Sequence, residues 1–350
     1  MIRILLACLT AAALQFAGDP AHAEAEYKIV TASERGTYIQ IGRDLAKLVS
    51  PQADISLEVL PSAGSAENVR RLRHEAGVKF AMVQSDVYQA FLDQAAAGNA
   101  EARDLIRPLR VIMPLYNEEI YLIVRADSEL NYVHEIKGAR INVGPLGSGT
   151  ALSTTTLYRL MYNEPIADSN ASFLTNEEAL VKLISDKSLD VVAVIAGQPA
   201  KLLADMKPES RQFIKLLKFD PEQRESQAAL KAYFPVSVRA DSYPNLLTED
   251  LPGLAVRAYL VTYDYDLKST KDHLARFARA LCQNFDTLQA NGHPKWREVQ
   301  LGLPPLGRGW LYYPPTSKEL RNCALGRPNA SFATRTKACS QHERILGLCG

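Results

Sequence analysis

The stretch Val143–Thr150, VGPLGSGT, runs directly into ALSTTTLYRLMY over residues 151–162. An apolar strand ends, three glycines (Gly144, Gly147, Gly149) free the backbone, and a helical pattern begins. A phosphate-binding Walker loop would need Lys before its Ser or Thr, and Thr150 stands where that Lys belongs. A dinucleotide fingerprint would need Gly or Ala at the position held by Leu152. What remains is a strand-to-helix junction whose free amides and helix dipole suit a small anion. The alternative is a plain N-cap, with Ser148 or Thr150 closing the helix.

Three other junctions resemble it. Ser33-Glu34-Arg35-Gly36-Thr37-Tyr38, Ser62-Ala63-Gly64-Ser65 and Gln84-Ser85-Asp86 each follow an apolar run and open a helical one. Strands are expected at residues 27–32, 55–60 and 78–84, with helices at 37–49, 65–74 and 86–97. This alternation predicts a parallel sheet covered by helices, with ligands outside the strand C-termini. Two apolar runs, 109–115 and 120–125, then follow too closely for a helix between them. A second alternation occupies 140–217. An apolar strand returns at 256–262, and a long amphipathic helix at 272–288. Two α/β units joined by paired strands predict a two-lobed clamshell, with hinges near 116–125 and 234–257. The expected division is 24–118 and 246–290 for the first lobe and 119–245 for the second. Residues 291–350, rich in Pro, Gly and Cys, are expected to be stapled and not packed like the lobes.

Composition fits this picture. The chain has 350 residues, 47% hydrophobic and 23% charged, with net charge +1. A near-neutral balance gives no electrostatic footprint for nucleic acid. Residues 1–23 read as an export signal: Arg3, an apolar run over 4–17, and a small-x-small site at Ala21-His22-Ala23. Cleavage near Ala23 would deliver the protein to the periplasm. Cys8 lies within that signal. Cys282, Cys323, Cys339 and Cys349 remain, an even number that suggests two disulfides in any of three pairings. Cys339 and His342 have a short ligand spacing but no matching second pair.

Enzyme signatures are weak. The six His form no H-E-x-x-H, and there is no G-x-S-x-G. The adjacent pairs Glu118-Glu119 and Glu177-Glu178 are expected to be solvated charges. No cofactor or metal is called for, and the chain reads as a monomer.

Six ordered motifs then resemble the TAXI family of solute-binding proteins, which serve tripartite ATP-independent periplasmic (TRAP) transporters. They are TASERGTYIQIGRDLA (residues 31–46), SAGSAEN (62–68), AMVQSD (81–86), LYNEEIYLIVRADS (115–128), IKGARINVGPLGSGT (136–150) and DVVAVIAGQP (190–199). The resemblance implies a type II periplasmic-binding-protein clamshell. It further implies capture of a small carboxylate, of the amino acid or dicarboxylate class, for membrane permease subunits. By motif, Thr37, Tyr38, Ser65, Gln84, Ser85, Tyr116, Ser148, Gly149, Thr150 and Gly197 would line the cleft, with Ser33 beside them. Arg35 departs from the family's glycine-rich pattern and would act either as a bidentate carboxylate clamp or as a charge at the rim. Asn117 stands where the family has Pro. A sensor that presents solute to a receptor kinase and an exported enzyme are the alternatives on the same fold.

Overall fold

A computed structural model describes residues 24–34, 36–307 and 309–326. The chain opens with β1 (Ala25–Val30), α1 (Thr37–Leu48), β2 (Ile55–Leu60), α2 (Ser65–His74), β3 (Val78–Gln84), α3 (Val87–Ala96) and α4 (Ala100–Ile106). Strands β1, β2 and β3 are parallel, in the order β2-β1-β3. β3, buried almost throughout, has the near-continuous apolar run of a strand covered on both faces, while the edge strand β2 alternates buried and exposed residues.

The chain crosses over in β4 (Leu109–Arg125), one strand of 17 residues where two runs were expected. It then builds β5 (Ile141–Asn142), α5 (Gly149–Tyr162), β6 (Ala171–Ser172), α6 (Asn176–Val181), β7 (Val191–Ala196), α7 (Lys201–Ala204), β8 (Ile214–Leu216), α8 (Arg224–Ala229) and β9 (Phe234–Val238). It returns through β10 (Leu251–Tyr263) to α9 (Lys268–Gln283), α10 (Phe285–Asn291) and α11 (Pro314–Gly326). The helix expected over 272–288 is thus two helices, α9 and α10.

The sheet order is β2-β1-β3-β10-β4-β7-β5-β6. Each half therefore repeats one plan: three parallel strands in the order second, first, third, flanked by an antiparallel strand of the shared ribbon. That ribbon is β4 with β10, and its register shifts between Arg257 and Tyr259. Such an irregularity bends and twists a strand pair locally.

Four apolar clusters cover the two faces of each half. In the first half, Ile29, Phe80, Leu260, Leu274 and Phe277 fill one face, and Val30, Val83, Phe91, Leu105 and Val261 the other. In the second, Ile120, Leu122 and Val124 of β4 point to α5 and α8, while Tyr121 and Ile123 point to the opposite face. This is the two-residue period of a strand buried on both sides. The clusters change over between Tyr116 and Ile120 on β4, and between Val256 and Ala258 on β10. Leu246 and Leu251 pack with the second half, so the return crossing falls near Arg257 and not at residue 246.

The segment after α10 also differs from expectation. Trp296, Val299, Tyr313 and Leu320 are buried in the same cluster as Ile29 and Phe277. Residues 291–326 are packed onto the first half because their aromatic side chains supply core area that the pattern of prolines conceals. A disulfide joins Cys282 of α9 to Cys323 of α11, with Cα atoms 6.3 Å apart. Residues 1–23, Arg35, Cys339, His342 and Cys349 lie outside the described residues. Among the described residues no helix is long and apolar enough to cross a membrane.

Candidate functional site

The two halves touch where α2 and α5 begin. A Cβ built on Gly64 would lie 2.8 Å from the Gly149 amide nitrogen, and one on Gly147 would lie 3.8 Å from Ala63 Cβ. Gly64 has φ +130°, a conformation side chains rarely adopt, so glycine here serves both the turn and the close approach. One residue carries the contact inward. Gln84, at the end of β3, has its Oε1 3.3 Å from Ser65 Oγ and 3.2 Å from Ser153 Oγ. Ser65 opens α2 in the first half, and Ser153 sits in the first turns of α5 in the second. Any Cβ on Gly149 would overlap Gln84 Oε1.

Beside Gln84 the crossing strand brings in acids. The Tyr38 hydroxyl, from the first turn of α1, donates to Glu118 Oε2 at 2.9 Å. Glu118 and Glu119 are 7% and 5% exposed, so the expectation of solvated charges is wrong for this pair. Neighbours on a strand point to opposite faces, and β4 is covered on both. Burial pushes the Glu118 carboxyl up to about 7, against the lowering effect of its bonds from Tyr38 and Gln84. Glu119 is also raised by burial, while Lys295 pulls the other way. Its Oε2 accepts the Gln198 amide at 2.7 Å. Burial and the Glu118 charge hold the Tyr38 phenol well above its usual range.

A third acid closes the group. Asp86 is 1% exposed, and Tyr233, which follows α8, donates to its Oδ2 at 2.8 Å. Burial raises Asp86 to about 6. Among the described residues, its Oδ1 and the Tyr116 hydroxyl are buried without a hydrogen-bond partner.

Most residues expected in the cleft therefore gather on one seam, though not all as donors. Ser148 Oγ accepts the Ala151 amide at 3.0 Å, so this hydroxyl is spent as the N-cap of α5. Among the described residues, the Gly149 and Thr150 amides find no acceptor. Ser85 Oγ accepts the Arg257 amide at 3.2 Å and its carbonyl accepts the Trp310 indole at 2.7 Å, so Ser85 is a structural clasp. Thr37 begins α1, whose N-cap Gly36 offers no side chain. Ser33 is exposed at the rim, where its carbonyl takes the Gly36 amide. Gly197, at the end of β7, packs against the Lys295 stem. Glu118, Glu119, Ser153, Tyr233 and Lys295 were not foreseen. Only the Glu pair had a signal, two acids inside an apolar strand. Among the described residues no three His, Cys, Asp or Glu side chains gather as metal ligands.

The sequence profile of the NMT1-like family matches residues 29–302, well over half of the chain. The chain belongs to the NMT1-like family. Solved structures similar to this NMT1-like chain include a TctC solute binding protein from Polaromonas, at 16% identity, covering 86% of this chain and 96% of that one, with TM-score 0.39. Another is the substrate binding protein of an amino acid ABC transporter, at 12% identity, covering 78% and 96%, with TM-score 0.41. A third is XAC2383 from Xanthomonas citri bound to ATP, at 13% identity, covering 85% and 95%, with TM-score 0.42. The NMT1-like chain has two α/β halves of the same strand order, joined through the β4–β10 ribbon. Its seam joins three helix starts to three buried acids.

Proposed function

We propose that this protein is a periplasmic solute-binding protein that captures a small carboxylate between its halves and delivers it to a TRAP-type permease. The reading rests above all on the Gln84 amide, engaged by a serine from each half, beside the unclaimed Gly149 and Thr150 amides of α5. A helix start with free amides attracts a carboxylate. The contacts at Gly64, Gln84 and Asp86 are all formed between halves, so solute entry requires them to part about the β4–β10 ribbon. A solute that contacts both halves then favours the closed form. The ordered motifs from residue 31 to residue 199 support the TRAP partner.

The buried acids narrow the solute class. Asp86, Glu118 and Glu119 are buried at the seam, with Lys295 as the cation near the two glutamates. A dicarboxylate would bring two more negative charges to that group. An amino acid brings an ammonium to offset it and a carboxylate for the α5 amides, so the amino acid class fits better. Thermal-shift measurement with L-glutamate, L-glutamine, succinate and 2-oxoglutarate tests this. A ligand at 100 times its dissociation constant adds ~2.7 kcal/mol of stability. The amino acids are expected to raise the melting temperature and their N-acetyl derivatives to leave it unchanged. Stabilisation by succinate alone would reject the amino acid class, and stabilisation by none of the four would count against the site.

A further inference from the structure

Lys295 lies outside the motifs, and in the site just proposed it serves only as a counter-charge to Glu118 and Glu119, yet it is 4% exposed. It rides on the turn Pro294–Glu298, which is fixed to the first half. Asp44 Oδ2 of α1 accepts the His293 amide at 2.7 Å and the Trp296 indole at 2.9 Å, and Trp296 is wholly buried in the first-half core. From this anchored base the side chain runs across the seam. Its stem lies against Gly197 at the end of β7, so closely that a Cβ on Gly197 would overlap Lys295 Cε. Its Nζ lies 3.4 Å from the Asn117 carbonyl, 4.0 Å from Glu119 Oε2 and 2.7 Å from Glu298 Oε2. It also stands 5.6 Å from the Tyr116 ring centre.

Asn117 and Glu119 occupy the stretch of β4 where one core ends and the other begins. Glu119 in turn accepts the Gln198 amide, and Gln198 Oε1 accepts the Arg239 amide at 2.6 Å just after β9. One continuous path therefore leads from α1, through Asp44, Trp296, Lys295 and Glu119, into the second half. A lysine buried this deeply is held by its surroundings, and its removal would leave Glu119 without its nearest cation.

We infer that Lys295 is a positioning residue that straps the second half to the first, so that the segment after α10 sets how far the halves stand apart. The strap acts at the hinge ribbon and just past β7, through Asn117, Glu119 and Gly197. It can be tested in the absence of any solute.

The test uses the full mature chain as Lys295→Met, Gly197→Ala and the double variant. Gly197 has no left-handed φ, so alanine is tolerated by its backbone and acts only by displacing the lysine stem. Small-angle scattering and hydrogen exchange are read on the solute-free protein, with thermal melts to confirm folding. Each single variant is expected to raise the radius of gyration. Each should also speed exchange in peptides 61–69 and 145–153, the two touching loops, by about threefold or more. In the double variant the alanine should add nothing to the methionine, since both break the same contact. Wild-type scattering and exchange in either folded single variant overturns the inference, as does simple additivity. Should Lys295→Met fail to fold, Gly197→Ala alone decides, because it keeps every charge.

Discussion

The Tyr233 hydroxyl of the second half lies 2.8 Å from Asp86 Oδ2 of the first half and 2.8 Å from the Ser153 carbonyl. One hydrogen thus serves two acceptors, and the carboxylate keeps one oxygen unpartnered. This is an expensive arrangement for a buried charge. Tyr233→Phe removes the donor and leaves Asp86 with less support. Denaturant unfolding at pH 8 should show a loss of about 1–3 kcal/mol. At pH 5, where Asp86 carries a proton, the loss should shrink. An equal loss at both values would mean that the phenol acts through packing alone.

The same acids give the stability profile an unusual slope. Asp86 rises from 3.8 to about 6 and Glu118 from 4.5 to about 7, both through burial. In that interval the folded state binds more protons than the unfolded one, so stability falls as pH rises. The contribution is fully present below about pH 4 and is lost as pH climbs through 6 and 7. Other carboxylates here, such as Asp190 beside Arg140, are lowered and act in the opposite sense. The informative comparison is therefore between wild type and the Asp86→Asn, Glu118→Gln double variant. Between pH 4 and pH 8 the variant should gain on wild type by roughly 3 kcal/mol per acid. Parallel profiles would show that neither carboxyl is perturbed.

Ser148 separates a cap from a ligand donor. Its hydroxyl already accepts the Ala151 amide, so Ser148→Ala should cost about 1 kcal/mol of stability, as loss of an N-cap does. Affinity for any solute that stabilises the wild type should hold within about twofold once the smaller folded fraction is allowed for. A loss of affinity above tenfold, with the melting temperature unchanged, would return Ser148 to the binding site.

The first-half strands were legible because YKIVTA, ISLEVL and VKFAMVQ are short, β-branched-rich runs bounded by small polar residues and interrupted by Lys28, Ser56, Glu58 and Lys79. The junctions were legible for the same reason, since Ser, Gly and Thr between a strand and a helix leave few alternatives. The crossing strand was not. Tyr116-Asn117-Glu118-Glu119 reads as a polar break between two runs, and only the paired β10 shows that the backbone stays extended through it. The acids of the seam escaped for a related cause. A strand shielded on both faces buries whatever it carries, and no sequence period marks a carboxylate buried by contacts more than 70 residues away in sequence, such as Tyr38 to Glu118. Lys295 was invisible because its environment is assembled from α1, β4 and β7 at once.

Gly149 offers a test of sign. It is the first residue of α5 and has no left-handed φ, so in isolation alanine would favour the helix, by up to ~1 kcal/mol. Across the seam, however, its Cβ would overlap Gln84 Oε1 and stand 3.0 Å from Gln84 Cδ. Gln84 is 4% exposed and held between Ser65 and Ser153, and its own amide donates to Ser65 Oγ at 3.0 Å, so it has little room to yield. Gly149→Ala should therefore push α5 off the first half. The radius of gyration should rise, and the Ser153 contact to Gln84 should be lost. Because α5 itself gains, the melting temperature should change by only a few degrees, ~1 kcal/mol corresponding to ~2–4 °C at this size. Gly64→Ala would not discriminate, since its backbone conformation alone penalises alanine. A Gly149→Ala protein that scatters like wild type and melts higher would show that the two loops do not meet in solution.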